Sequence, residues 1–294
     1  MNGSSGVDVN QQATPIEDLR INLDGVSWRY QRAGSGPVLL LVHGLFGYSF
    51  SWRFAIPQLA RACTVYAVDM PGAGFSDFPS GTDCSLRPTS ERLLRFMDEQ
   101  GISSCDLLGT SHGGAVAMMT AAVAPGRFRR LILVDPVNPW SGRGKLLSVV
   151  FSNPVVAPFF LRFGPRLRLV QRHYLRRLYG DIQRMRPGTM EGYRAPLLRR
   201  ESFAHAIGVL RSWNHDLREL ESVLPKIQHI PTLLIWGDRD TAVYPISAPK
   251  LKAQFRQVRL LMLAGVGHLP YEEAPEEFNL AVLEFVSERQ SPGE

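Results

Sequence analysis

Gly109-Thr110-Ser111-His112-Gly113-Gly114 is the stretch on which the reading of the fold turns. It carries the pattern Gly-x-Ser-x-Gly, which a chain with 26 glycines can hold by chance, so its neighbours decide its meaning. Before it stands a short apolar run, Asp106 to Leu108, which reads as a strand; after it an Ala- and Met-rich run, Ala115 to Val123, reads as a helix. Strand, sharp turn and helix in that order lift a serine oxygen to the carboxyl edge of a sheet. Gly109 and Gly113 suit the bend because it leaves no room for Cβ atoms. The helix N-terminus aims free amides at any oxyanion formed beside the serine. A helix-capping serine is the plain alternative; the context favours Ser111 as a nucleophile.

Outward from this turn the chain alternates. Leu19, Ile21 and Leu23 precede Asp24-Gly25, and Val26, Trp28 and Tyr30 follow it, two period-2 runs joined by a hairpin signal. Continuous apolar runs then recur at Val38 to Val42, Thr64 to Val68, Leu131 to Val134, Thr232 to Trp236 and Val258 to Leu263, as expected of strands covered on both faces. Helical segments fall between several of them, including Pro88 to Glu99, Gly113 to Ala124 and Pro245 to Phe255. The pattern implies an α/β fold, a mostly parallel sheet with helices on both faces. Only residues 137–225 break the alternation, with Arg-rich and aromatic helical patterns and no convincing strand. The expected organisation is a disordered tail over 1–15, a core from 16–136 and 226–290, and a helical cap inserted over 137–225.

The 294 residues suit one enlarged domain, and 45% apolar with 20% charged residues is ordinary for a folded globular protein. No apolar run reaches the ~20 residues that span a bilayer. The polar start, Met1 to Thr14, has neither the basic opening nor the apolar centre of a signal peptide, so a cytoplasmic location is expected. Cys63, Cys84 and Cys105 lack metal-ligand spacing, and their odd number forbids a full disulfide framework; they read as reduced structural thiols. The net charge of +6 is local: residues 137–225 hold fourteen Arg and one Lys against six acids, and the remainder sums to −3. Arginines confined to one insert, without a recognisable binding motif, argue against nucleic acid as a partner.

With the elbow and four further motifs in order, the sequence resembles the α/β-hydrolase family from about Ile16 to Val286. These motifs are His43-Gly44-Leu45-Phe46-Gly47, Asp69-Met70-Pro71-Gly72-Ala73-Gly74-Phe75-Ser76, Trp236-Gly237-Asp238-Arg239-Asp240 and Gly265-Val266-Gly267-His268-Leu269-Pro270, each after an expected strand. The resemblance implies His268 as general base among the seven histidines, and Asp240 as the acid that orients it. Asp238 is the near alternative, with a better claim to shaping the turn; Asp135 is a second rival, since some relatives place their acid after that strand. The same resemblance assigns the oxyanion hole to the backbone amides of Leu45 and His112, and gives His43 the task of bracing its loop. His173, His205, His215 and His229 read as packing or surface residues.

Ser, Asp and His in that order imply acyl transfer through a covalent intermediate, with carboxylic ester hydrolysis as the default and neither metal nor organic cofactor required. A serine nucleophile speaks against dehalogenase and epoxide-hydrolase chemistry, which needs a carboxylate. Carbon-carbon hydrolysis of a vinylogous diketone is less favoured, because Leu45-Phe46-Gly47 and Leu269 replace the Gly-Pro-Gly and Trp of such relatives. A non-catalytic ligand-binding protein of the same fold is the alternative from another class. In the insert, Phe163, Leu167, Val170, Tyr174 and Leu178 form an apolar stripe flanked by Arg166, Arg172, Arg176 and Arg177. The expectation is a lid helix packed on the core with solvated arginines; the other reading is attraction to an anionic membrane surface or amphiphilic substrate. The run Leu146 to Phe160, interrupted by Pro154 and Pro158, together with Phe46, Phe50 and Trp52, suggests an apolar pocket and a small-molecule ester with an apolar acyl group.

Overall fold

A computed structural model of the chain describes residues 14–153 and 155–288. The tail expected over 1–15 lies outside them but for Thr14 and Pro15, and so does Pro154. Eight strands form one sheet: β1 (Glu17–Leu23), β2 (Val26–Ala33), β3 (Val38–Val42), β4 (Thr64–Val68), β5 (Cys105–Thr110), β6 (Phe128–Val134), β7 (Thr232–Gly237) and β8 (Val258–Leu263). Their order is β1-β2-β4-β3-β5-β6-β7-β8. β2 runs antiparallel to both β1 and β4, and every other pair is parallel. Asp24 and Gly25 both take positive φ, 52° and 82°, as the tight hairpin between β1 and β2 requires.

The strands read as continuous apolar runs because both faces are covered. On β3, Leu40 and Val42 join one core with Phe96 and Met118, while Leu39 and Leu41 join the other with Trp52 and Phe278. Each such aliphatic side chain contributes roughly 1.5–3 kcal/mol by leaving water. Helices Leu86–Glu99 and His112–Val123 cover the first face, and Pro275–Ser287 covers the second. The three cysteines are buried and unpaired, with burial raising Cys63 to about 11 and Cys84 and Cys105 to about 12.

Between β6 and β7 the described residues contain only helices, the longest being Arg200–Val223. That long helix is the cap's anchor, burying Phe203, Ile207, Leu210, Trp213 and Leu217. The stripe expected on one lid helix is divided. Helix Val156–Phe163 ends at Gly164-Pro165, and a separate helix runs from Arg168 to Arg177. Pro165 supplies no N–H to continue the α-helical ladder; the backbone tightens into a 3-10 turn over Gly164–Arg166 and leaves helical geometry at Leu167, with ψ 57°, so the helix phase is lost there. In consequence Val170 and Tyr174 are exposed, and Leu175 is the residue that the second helix buries. Pro158, read as an interruption, instead sits in the first turn of Val156–Phe163, where no intrahelical N–H is needed.

Candidate active site

Ser111 sits between β5 and helix His112–Val123 at φ 53° and ψ −123°, a strained conformation for a residue with a side chain. Its amide donates to Val134 O at 2.9 Å, and its carbonyl accepts from Gly114 N and Val137 N, each at 2.9 Å. The neighbouring strand end and the helix start therefore hold the bend from both sides. A Cβ on Gly113 would lie 2.3 Å from the His43 carbonyl, and one on Gly44 would lie 2.9 Å from the Ser111 Cβ. Glycine at these two places lets the loop after β3 close against the elbow.

That loop carries His43, Gly44 and Leu45. His43 Nε2 accepts from Met70 N–H at 3.1 Å, so its Nδ1 carries the proton and donates to Gly44 O at 2.8 Å. Burial lowers the basicity of His43, in keeping with a neutral ring used as a brace. Asp69 fastens the same loop from the next strand: its carboxylate accepts from Ser49 N–H, Phe75 N–H and Arg29. The Leu45 amide, half-buried in this loop, donates to no carbonyl of the described residues. His112 opens the helix, so its amide has no intrahelical acceptor.

His268 lies in the turn after β8 and Asp240 in the turn after β7, both buried. His268 Nδ1 and Asp240 Oδ2 are 2.7 Å apart. A carboxylate can only accept, so Nδ1 carries the proton and Nε2 is left as the basic atom. Asp240 Oδ1 is held by Ala242 and Val243 amides at 2.7 and 3.0 Å, which fixes the carboxylate plane. Asp238 instead accepts from Gly265 N–H at 2.7 Å and ties the two turns together.

The histidine turn is clamped by groups that sequence reasoning missed. Glu273 accepts from Gly267 N–H at 2.7 Å and from Gly180 and Asp181 amides at 3.0 Å, while His268 N–H donates to Leu178 O at 2.7 Å. Glu272, 1% exposed at its side chain, pairs with Arg53 and accepts from Tyr193 OH at 2.8 Å. Burial raises both carboxyls, against the opposing pull of Arg53 on Glu272 and of three amides on Glu273. The only signal in the sequence was Pro270 followed by two adjacent acids, a helix start that ordinarily faces water.

The model of the alpha/beta hydrolase fold family matches residues 37–275. The chain belongs to that family. Over 262 residues the hydrolase is 29% identical to a pimeloyl-[acyl-carrier protein] methyl ester esterase of Aeromonas hydrophila, covering 87% of this chain and 98% of that one. It is also 29% identical over 285 residues to haloalkane dehalogenase 2 of Mycobacterium bovis, with 93% and 96% covered. Among solved structures it resembles a membrane phospholipase A with a TM-score of 0.75 and 25% identity, over 92% of this chain and 86% of the other.

The second rival for the acid lies at the same edge. Asp135, at the end of β6 with φ 43°, lies against the Asp240–His268 pair; one ligating atom from each of the three residues falls within 4.8 Å of the others. Its Oδ1 accepts from Gly237 N–H at 3.0 Å, and its side chain also lies against the Asp240 carboxylate. Burial, then the Asp240 carboxylate beside it, pushes Asp135 well above the ordinary carboxyl range. A second grouping, His215, Asp216 and Glu219, lies on the long cap helix. There Asp216 accepts from Leu86 N–H and Ser212 OH, and Glu219 pairs with Arg87, so the carboxylates are already engaged.

The three aromatic candidates diverge. Phe46, with φ 62°, meets Phe203 of the cap at 5.7 Å between ring centres, and Phe203 meets Phe160 at 5.1 Å. Phe50 stacks on Tyr48 and meets Tyr193 edge-on, under the Arg53 guanidinium. Trp52 is fully buried against Tyr271 in the core beneath the sheet. His112 and His205 are buried as well, and burial lowers them to about 4 and about 3. His173 and His215 are exposed.

Proposed function

We propose that the chain is a serine hydrolase that cleaves carboxylic esters with an apolar acyl group. The observation that carries this reading is the His268 Nδ1 to Asp240 Oδ2 hydrogen bond at 2.7 Å, at the same sheet edge as the strained serine elbow. In this reading His268 Nε2 takes the Ser111 proton as Oγ attacks the ester carbonyl. The tetrahedral oxygen is received by the Leu45 and His112 amides, each worth on the order of 3 kcal/mol to such a step. Collapse expels the alcohol, protonated by His268, and leaves an ester on Ser111. Water, deprotonated by the same imidazole, then releases the acid. Asp240 orients the ring and balances its charge.

The alcohol nucleophile separates this proposal from dehalogenation, which requires a carboxylate to displace halide. The likeness to a methyl ester esterase supports the ester. The Phe46–Phe203–Phe160 series supports an apolar acyl group, since it leads from the oxyanion loop into the cap. The test is a panel of p-nitrophenyl esters from acetyl to decanoyl, with Ser111→Ala as the control. The expected result is kcat/KM rising from short to medium chains and lost in the variant. Equal or better rates on acetyl esters would remove the apolar-pocket claim, and unchanged rates in the variant would remove the nucleophile.

A further inference from the structure

We propose that a cleft in the cap, between helix Arg168–Arg177 and residues 182–194, binds a ligand through a phosphate group. The cleft has a volume of about 460 Å³ and is lined by Arg168, Arg172, Arg176, Arg186, Arg194 and Glu191. Five guanidinium groups thus share one concave surface with a single carboxylate.

Helix geometry explains the arrangement. Arg168, Arg172 and Arg176 are spaced by four, which sets them along one face at intervals of about 6 Å. Among the described residues none of these three has an ion pair or an acceptor. Arg186 crosses to the exposed Glu276 at 3.3 Å, and Arg194 has a buried Nε with no acceptor. Like charges held this close repel, and an unmet buried donor costs roughly 1–3 kcal/mol. Both penalties are relieved by a multiply charged anion whose oxygens take several guanidinium forks at once, the geometry in which arginine binds phosphate best.

The same lining offers Ile182, Met185 and Met190, so the cleft suits a phosphate ester with an apolar portion better than a bare ion. From residue 136 to residue 180, the stretch that includes Arg168, Arg172 and Arg176, the chain has no Asp or Glu, so no neighbouring acid on that helix pairs with them. The site adjoins the catalytic edge without sharing its residues: the carbonyl of Leu178, two residues beyond Arg176, holds the His268 amide. Binding can therefore be measured without turnover, and its outcome is independent of the ester-hydrolase proposal.

Two phosphate sources are distinguished by two probes, inorganic pyrophosphate by calorimetry and phosphatidylglycerol-containing phosphatidylcholine vesicles by co-sedimentation, both at fixed ionic strength. The wild-type chain is expected to bind at least one of them saturably. R172E/R176E is expected to weaken that binding about tenfold or more, the loss of charge-assisted hydrogen bonds. R162E/R166E removes the same net charge outside the cleft and is expected to bind as wild type. Pyrophosphate binding lost only in R172E/R176E supports a soluble phosphate ester; vesicle binding lost only there supports a lipid headgroup. Equal losses in the two double variants, or no binding of either probe, would overturn the site.

Discussion

At the carboxyl edge of the sheet, Asp135, Asp240 and His268 are between 0% and 4% exposed, and hydrogen bonds from neighbouring strands and turns fix the atoms around them. In the cap, Leu146, Val155 and Leu169 are 71–79% exposed, on or beside helices only eight to ten residues long. The two regions differ in what a substitution can disturb. At the edge, Asp240 is held by the His268 ring and two backbone amides, so its carboxylate has little freedom. On the cap face, few partners exist, and side chains can change with little effect on the fold.

The largest break in this contrast is expected from Asp240→Asn. Losing the carboxylate removes the preferred tautomer of His268, and kcat is expected to fall by about 10⁴ in steady-state ester hydrolysis. Asp135→Asn, which keeps the side-chain shape and an acceptor for the Gly237 amide, is expected to stay within about tenfold of wild type. A comparable collapse in both variants would mean that the two carboxyls act as one acid, contrary to the roles assigned here.

Next comes Arg53→Met, which leaves Glu272 buried without its cation. Breaking one partner of such a pair costs roughly 3–5 kcal/mol, measurable by urea unfolding. A change under ~1 kcal/mol would show that the clamp between cap and histidine turn is dispensable.

The third effect is on pH. His205 and His112 have folded values of about 3 and about 4, below the ordinary 6.5. The unfolded chain therefore binds protons first as pH falls, and stability present above pH 6.5 is lost progressively toward pH 3–4. His205→Leu is expected to flatten the dependence of Tm on pH between 6.5 and 4, and an unchanged slope would place the acid sensitivity elsewhere. The smallest effect is expected from Leu169→Ser on the exposed cap face, within about 0.5 kcal/mol by urea unfolding. A larger loss would mean that this face is packed after all.

The sequence made the edge legible because its constraints are local. Ser111 needed the glycines beside it, and Asp240 and His268 each follow a strand whose apolar run is hard to mistake. The same logic failed for Glu272 and Glu273, two adjacent acids whose burial depends on Arg53, Tyr193 and the Gly180 amide, all distant in sequence. It failed again for Trp52, since an aromatic near an oxyanion loop reads alike whether it lines a pocket or fills a core. The stripe from Phe163 to Leu178 has helical spacing, but the 3-10 turn over Gly164–Arg166 and the non-helical Leu167 divide the helix, and Val170 and Tyr174 are exposed.

Activity-based labelling with a fluorophosphonate tests the central claim most directly, because the reagent bonds only to a serine activated by a neighbouring base. Wild-type protein is expected to be labelled at one site, mapped by peptide mass to Ser111, with labelling abolished in Ser111→Ala and strongly slowed in His268→Ala. Unlabelled wild type, or undiminished labelling of folded Ser111→Ala, would contradict the account.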